Sequence, residues 1–218
     1  EIDAGHLLTA SLLSAPGTLV IAKLMFPETE KSATANEACE LPRSPATNSI
    51  DALCQGAADG MRLSINVIAM LIAFIAMVYL ANALLAWALS WTDWTITIQE
   101  AVGWLNVPFA FMMGVPADEC LRVGTVLGER VVLNEFVGFL SLSNMTTGEG
   151  ALSERTVTIA TFALCGFANF ASVAIQIGGI STLVPERRAD LAKLGLRAMV
   201  GGLLACYLTA SVAGLLMR

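Results

Sequence analysis

The sequence predicts an all-α polytopic membrane protein with about four transmembrane helices, a re-entrant helical hairpin and an interfacial helix. Three observations carry this reading. Of the 218 residues, 56% are hydrophobic and only 14% charged, with a mean hydropathy of +0.71. Soluble domains carry about one quarter charged residues, and a soluble chain of this size would need far more polar surface. Several stretches approach or exceed the roughly 20 apolar residues that cross a hydrocarbon core. Between them lies one segment that is hydrophobic yet broken by glycine, proline and charge.

The first span belongs to residues 1–30 and runs from about His6 to Phe26, with a kink at Pro16-Gly17, before Pro27-Glu28-Thr29-Glu30. Residues 31–60, with Lys31, Pro42, Arg43 and Pro45, read as a loop outside the membrane. Residues 61–95 hold the second span, about Leu63 to Trp91. It has no charge between Arg62 and Asp93 and ends in Trp87, Trp91 and Trp94, placed as an interfacial anchor. The third run, residues 155–184, and the last, residues 185–218, flank Pro185-Glu186-Arg187-Arg188, with Lys193 and Arg197 beyond. By the positive-inside rule that connection is cytoplasmic. Counting back puts residues 143–154 outside, the tryptophan-rich end outside and the loop at residues 31–60 inside.

Residues 96–142 are no plain span, because Pro108, Gly114-Val115-Pro116, Gly124 and Gly128 interrupt them and Asp118, Glu119, Arg122, Glu129, Arg130 and Glu135 charge them. Both ends must lie outside for the count to hold. A surface helix (residues 96–115) followed by a re-entrant hairpin (residues 116–142) satisfies that topology. Such a hairpin must be buried in protein, since lipid would leave its turn unsatisfied.

Within the hairpin, Glu135 is flanked by apolar residues on both sides. A charge at the centre of a membrane costs roughly 2.5–3.5 kcal/mol on insertion scales. Either Glu135 faces a water-filled cavity and accepts hydrogen bonds from a polyhydroxylated substrate, or it caps a helix end or pairs with Arg122 or Arg130. The third run contains Cys165-Gly166-Phe167-Ala168-Asn169-Phe170-Ala171-Ser172, then Gln176 and Gly178-Gly179. Gly, Asn and Ser at that depth suggest a discontinuous helix whose broken ends offer N–H and C=O groups to a ligand. Asn169 and Ser172 share one face if the segment is helical. Small-residue helix packing accounts for the same composition.

The formal charge of −6 and pI near 4.8 leave no basic footprint, so no nucleic-acid partner is expected. The five cysteines form no C-x-x-C pair and read as unpaired small apolar residues. His6, the lone histidine, reads as interfacial. No Walker A, G-x-S-x-G or H-E-x-x-H signature is present, so an enzyme has no catalytic constellation here. The chain starts at Glu1 without an initiator Met, and is expected to be cut from something longer.

Ser14-Ala15-Pro16 with Ile21-Ala22-Lys23-Leu24-Met25-Phe26-Pro27-Glu28-Thr29-Glu30, Gly56-Ala57-Ala58-Asp59-Gly60, Met113-Gly114-Val115-Pro116, Val132-Leu133-Asn134-Glu135-Phe136-Val137, Leu152-Ser153-Glu154-Arg155, Cys165-Gly166-Phe167-Ala168-Asn169-Phe170 and Pro185-Glu186-Arg187-Arg188 resemble, in order, the C-terminal region of concentrative nucleoside transporters. The resemblance implies cation-coupled nucleoside uptake by a homotrimer in the plasma (inner) membrane. Each protomer would have a scaffold, including residues 61–95, and a mobile transport domain of inverted repeats. Glu135, Asn169 and Ser172 would bind the ribose hydroxyls and Phe167 would line the same pocket. No resident cofactor is implied, and the coupling cation, sodium or proton, would sit on residues upstream. The sequence departs from the family pattern at Ala171-Ser172-Val173-Ala174, a stretch often richer in Ser and Gly. A channel or structural membrane subunit with Glu135 lining an ion path is the alternative reading.

Overall fold

The computed structural model describes residues 3–29, 46–92, 94–148 and 150–217. The loop segment with Lys31, Pro42, Arg43 and Pro45 lies outside the described residues. Among the described residues the regular elements are all helical, in the order α1 (Ala4–Met25), α2 (Ser49–Ala88), α3 (Ile98–Met112), α4 (Cys120–Val132), α5 (Glu135–Asn144), α6 (Glu154–Leu164), α7 (Phe170–Leu183) and, after a 3-10 turn at Pro185–Arg187, α8 (Arg188–Leu216).

Helix α1 starts at Asp3, whose carboxylate accepts from Gly5 N at 2.6 Å. Thr9 Oγ1 donates to Gly5 O and Thr18 Oγ1 to Ser14 O, both at 2.8 Å, so these hydroxyls are satisfied within an apolar helix. Helix α2 is 40 residues long and takes in residues 49–60, which the sequence reading placed in the loop. The physical reason is local. Asn48 Oδ1 accepts from Asp51 N at 2.9 Å, Asp51 complements the positive helix end, and no proline interrupts the run. At 1.5 Å per residue α2 is about 60 Å long, roughly twice the hydrocarbon thickness, so it tilts or protrudes. Trp87, Trp91 and Trp94 at its far end are strongly exposed.

A capping box opens α3: Thr97 Oγ1 accepts from Glu100 N at 3.2 Å, and the Glu100 carboxylate accepts from Thr97 N at 2.8 Å. Asn82 ties this end to α2, accepting from Ile98 N at 3.0 Å and donating to Gln99 Oε1 at 2.9 Å. Along its length α3 meets α4 backbone to backbone. A Cβ on Gly103 would lie 2.9 Å from Thr125 Cα, and one on Gly124 2.8 Å from Gly103 O. Small residues permit that approach. The chain leaves α3 through Gly114 at φ 92°, in the left-handed region.

After α4 the chain turns at Leu133-Asn134 and α5 folds back, so that a Cβ on Gly138 would lie 3.4 Å from Arg130 Cβ and from Val126 O. The third expected span is two helices, α6 of 11 and α7 of 14 residues, separated by Cys165–Asn169. At about 16 and 21 Å, neither alone crosses a core of about 30 Å. Among the described residues three other helical segments, Ala4–Met25, Ser49–Ala88 and Pro185–Leu216, are long and apolar enough to do so. The core gathers around α4, α6 and α8, where Val123, Val126, Leu127, Ile159, Leu164 and Ala210 are fully buried. By contrast α1 and α2 bury only 6% of their most apolar stretches, against 44% for Pro185–Leu216. Those outward apolar faces suit lipid.

Candidate functional site

Both half-helices at the breaks begin with asparagine. Asn134 Oδ1 accepts from Val137 N at 3.0 Å and starts α5. Asn169 Oδ1 accepts from Ser172 N at 2.7 Å and starts α7. In α7 the box closes reciprocally, as Ser172 Oγ accepts from Asn169 N at 3.0 Å and donates to Asn169 O at 2.7 Å. Each start leaves partly positive N–H groups pointing out of its helix.

The two starts meet. Asn169 Nδ2 donates to Glu135 Oε2 at 2.9 Å, with Glu135 half-buried in the first turn of α5 and Asn169 and Ser172 buried. The carboxylate still has Oε1 and spare lone pairs to accept with, and Asn169 Nδ2 keeps a second N–H to donate with. Acceptors and a donor side by side suit a ligand with neighbouring hydroxyls, each of which can give one hydrogen bond and take another. The resemblance implies that Asn169 binds ribose hydroxyls, a contact its amide oxygen could make by accepting. In the structure that oxygen caps α7, so Nδ2–H is the freer group.

Phe167 lies in the break and is half-exposed. With Ser172 and Gln176 it lines a cavity of about 370 Å³ between α7 and α8, closed on the α8 side by Leu191, Leu194 and Met199. Glu135 and Asn169 stand off that cavity, and Ser172 joins the two parts. The structure thus brings Glu135, Asn169 and Ser172 into one hydrogen-bonded group and sets Phe167 beside Ser172.

The ion-pair alternative for Glu135 does not match the geometry. Arg122 Nη1 donates to Gly150 O. Arg130 is fully buried and donates to Ala163 O and Gly166 O, each at 2.9 Å, and to Cys206 Sγ at 3.2 Å. The helix-cap alternative falls to Asn134, which caps α5 in place of its neighbour. Sequence reasoning named Gln176 without giving it a role, did not single out Asn134, and weighed Arg130 only as a partner of Glu135. For Asn134 a signal existed, since an asparagine just before a helical run is a start signal.

Residues 6–214 match the family model described as Na+ dependent nucleoside transporter C-terminus. The chain is 42% identical over 216 residues to the transporter YutK of Bacillus subtilis, covering 98% of this chain and 53% of that protein. It is 37% identical over 229 residues to sodium/nucleoside cotransporter 2 of Rattus norvegicus, covering 99% of this chain and 35% of that one. Among solved structures it is similar to a variant of CNTnw in an outward-facing state, with TM-score 0.86, 38% identity and coverage of 100% of this chain and 52% of that chain. It is also similar to CNTnw in an inward-facing substrate-bound state, with TM-score 0.77, 39% identity and coverage of 98% and 51%. The chain therefore spans between about a third and about half of the length of the proteins it resembles, and it belongs to the family of Na+ dependent nucleoside transporter C-terminal regions.

Proposed function

We propose that this chain is the C-terminal, ribose-binding part of a secondary active transporter that takes up nucleosides against their gradient by coupling to a cation. The observation that carries the reading is the bond between Glu135 and Asn169, where two helix starts converge and leave acceptors and a donor facing the same space. Relatives named as sodium/nucleoside cotransporters support the substrate class and favour sodium as the coupling ion. We place its ligands upstream, in a part of the full-length protein that this chain does not span. On the same reading the assembly is a homotrimer in the plasma membrane, with residues 116–142 as a re-entrant hairpin that keeps Glu135 at membrane depth.

In this mechanism Glu135 and Asn169 take the ribose hydroxyls, Ser172 holds Asn169 in register, and Phe167 offers an apolar face beside them. Ligand binding and release then alternate between the two sides of the membrane. A channel in which Glu135 lines an ion path is disfavoured, because CNTnw adopts inward-facing, intermediate and outward-facing states, the behaviour of a carrier.

The test uses the full-length protein. Uridine should raise its unfolding temperature. Glu135→Gln should weaken uridine binding roughly ten- to hundredfold, since a hydrogen bond to a charged group is worth about 1.5–3 kcal/mol and each tenfold about 1.4 kcal/mol. A 2′,3′-dideoxynucleoside should be nearly indifferent to the substitution. If the variant folds, reaches the membrane and binds both ligands as the parent does, the ribose site lies elsewhere.

A further inference from the structure

Arg130 is fully buried in an apolar core. Its fork of N–H groups instead reaches Ala163 O, Gly166 O and Cys206 Sγ, and its Nε is left without a partner. Burying a guanidinium is costly unless its donors find acceptors. Two of the acceptors are backbone carbonyls: α6 stops at Leu164, which orphans its last carbonyls, Ala163 O among them, and Gly166 O follows in the break.

We propose that Arg130 is the positioning residue of the Glu135–Asn169 site: reaching from the hairpin to the Ala163 and Gly166 carbonyls, it sets where the break before α7 stands against the hairpin turn. The inference rests on the ribose-site reading above. Its geometry is a closed ring. From Arg130 a short stretch of α4 and the turn leads to Glu135, whose carboxylate holds Asn169. From Asn169 a short stretch of the break leads back to Gly166, whose carbonyl holds Arg130. With both cross-links made, the turn and the break cannot shift past each other, and the donor and acceptors offered to a ligand keep one arrangement. Crowding at the break reinforces it. A Cβ on Gly166 would collide with Cys206 Sγ and lie 3.2 Å from Arg130 Nη2. Lysine would carry the same charge but not the planar fork that serves two carbonyls at once.

The experiment measures binding of uridine and 2′,3′-dideoxyuridine to the full-length protein in liposomes. Arg130→Lys should weaken uridine roughly tenfold, the size of one charged hydrogen bond, while dideoxyuridine changes by less than about twofold. Combined with Asn169→Ala, it should add little to the loss that Asn169→Ala causes alone, because both act on one contact. Equal weakening of both ligands, or additive losses, would reduce Arg130 to a structural residue and overturn the inference. If Glu135→Gln and Asn169→Ala themselves leave the preference for uridine intact, the ribose reading fails. If those two abolish it and Arg130→Lys does not, only the positioning role fails. Should Arg130→Lys not reach the membrane, Gly166→Ala provides a second route. It should erode the uridine preference by displacing the break, and Cys206→Ala in the same chain should restore it by making room. A preference that Gly166→Ala leaves untouched, or that Cys206→Ala does not restore, would sink the proposal.

Discussion

Asn169 does two things with one short side chain. Its oxygen starts α7 and its nitrogen holds Glu135. These separate by substitution. Serine is also a good helix-capping residue but is too short to reach Glu135, whereas alanine does neither. Asn169→Ser should therefore melt close to the parent, and Asn169→Ala lower, by the roughly 0.5–2 kcal/mol that a lost cap costs. Both should bind uridine more weakly than the parent, and by similar factors. Thermal melts and binding isotherms on the two variants check this, and an Asn169→Ser protein that binds as the parent does would show that the amide nitrogen is idle in recognition. At this scale the sequence was informative about identity and not about partnership. Asn169, Ser172 and Glu135 stood out as polar groups in apolar runs, but Arg130 looked like a counter-ion and proved to be a donor to carbonyls.

Among the elements, the pairing of α3 with α4 depends on missing side chains. Gly128 is the tightest position: a Cβ there would run into Gln99 O and lie 2.5 Å from Gly103 N, backbone atoms that cannot rotate aside. Gly128→Ala should lower the free energy of unfolding by about 1–3 kcal/mol or more, as overpacked cores do. Gly56, in α2, has open space around it. There the same change should be neutral or stabilising by up to about 1 kcal/mol, since alanine is the better helix former. Equal effects at the two sites would mean that α3 and α4 are not in backbone contact. The break between α6 and α7 was legible because Gly166, Asn169 and Ser172 interrupt an apolar run. The early start of α2 was not, because hydropathy is low over residues 49–60 although the Asn48 cap and the helix formers behind it favour a helix.

At the scale of the whole molecule, Arg155 gathers the ends of distant segments. From the start of α6 it donates to Gly114 O, to Gly214 O at 2.8 Å and to Met217 O at 3.2 Å, binding the exit of α3 to the end of α8. Arg155→Met should strand those carbonyls and lower stability by about 1–3 kcal/mol for each group left unsatisfied in the buried part, read from thermal melts in detergent. The proposed topology makes a different demand. In a full-length protein stripped of its native cysteines, Asp118→Cys and Ser143→Cys should both react with an impermeant thiol reagent from outside, and Arg188→Cys only from inside. Labelling of Asp118→Cys and Ser143→Cys from opposite faces would exclude a re-entrant hairpin. What the sequence by itself determined was the all-helical, apolar character of the chain and the polar residues that interrupt its apolar runs. Those follow from hydropathy and from residue type, which are read over a few residues. What only the tertiary structure decided was partnership: Glu135 with Asn169 across 34 residues, Arg130 with the end of α6, and α3 laid against α4 through glycine. Such contacts depend on how separate helices are brought together, and no local pattern encodes the distance between them.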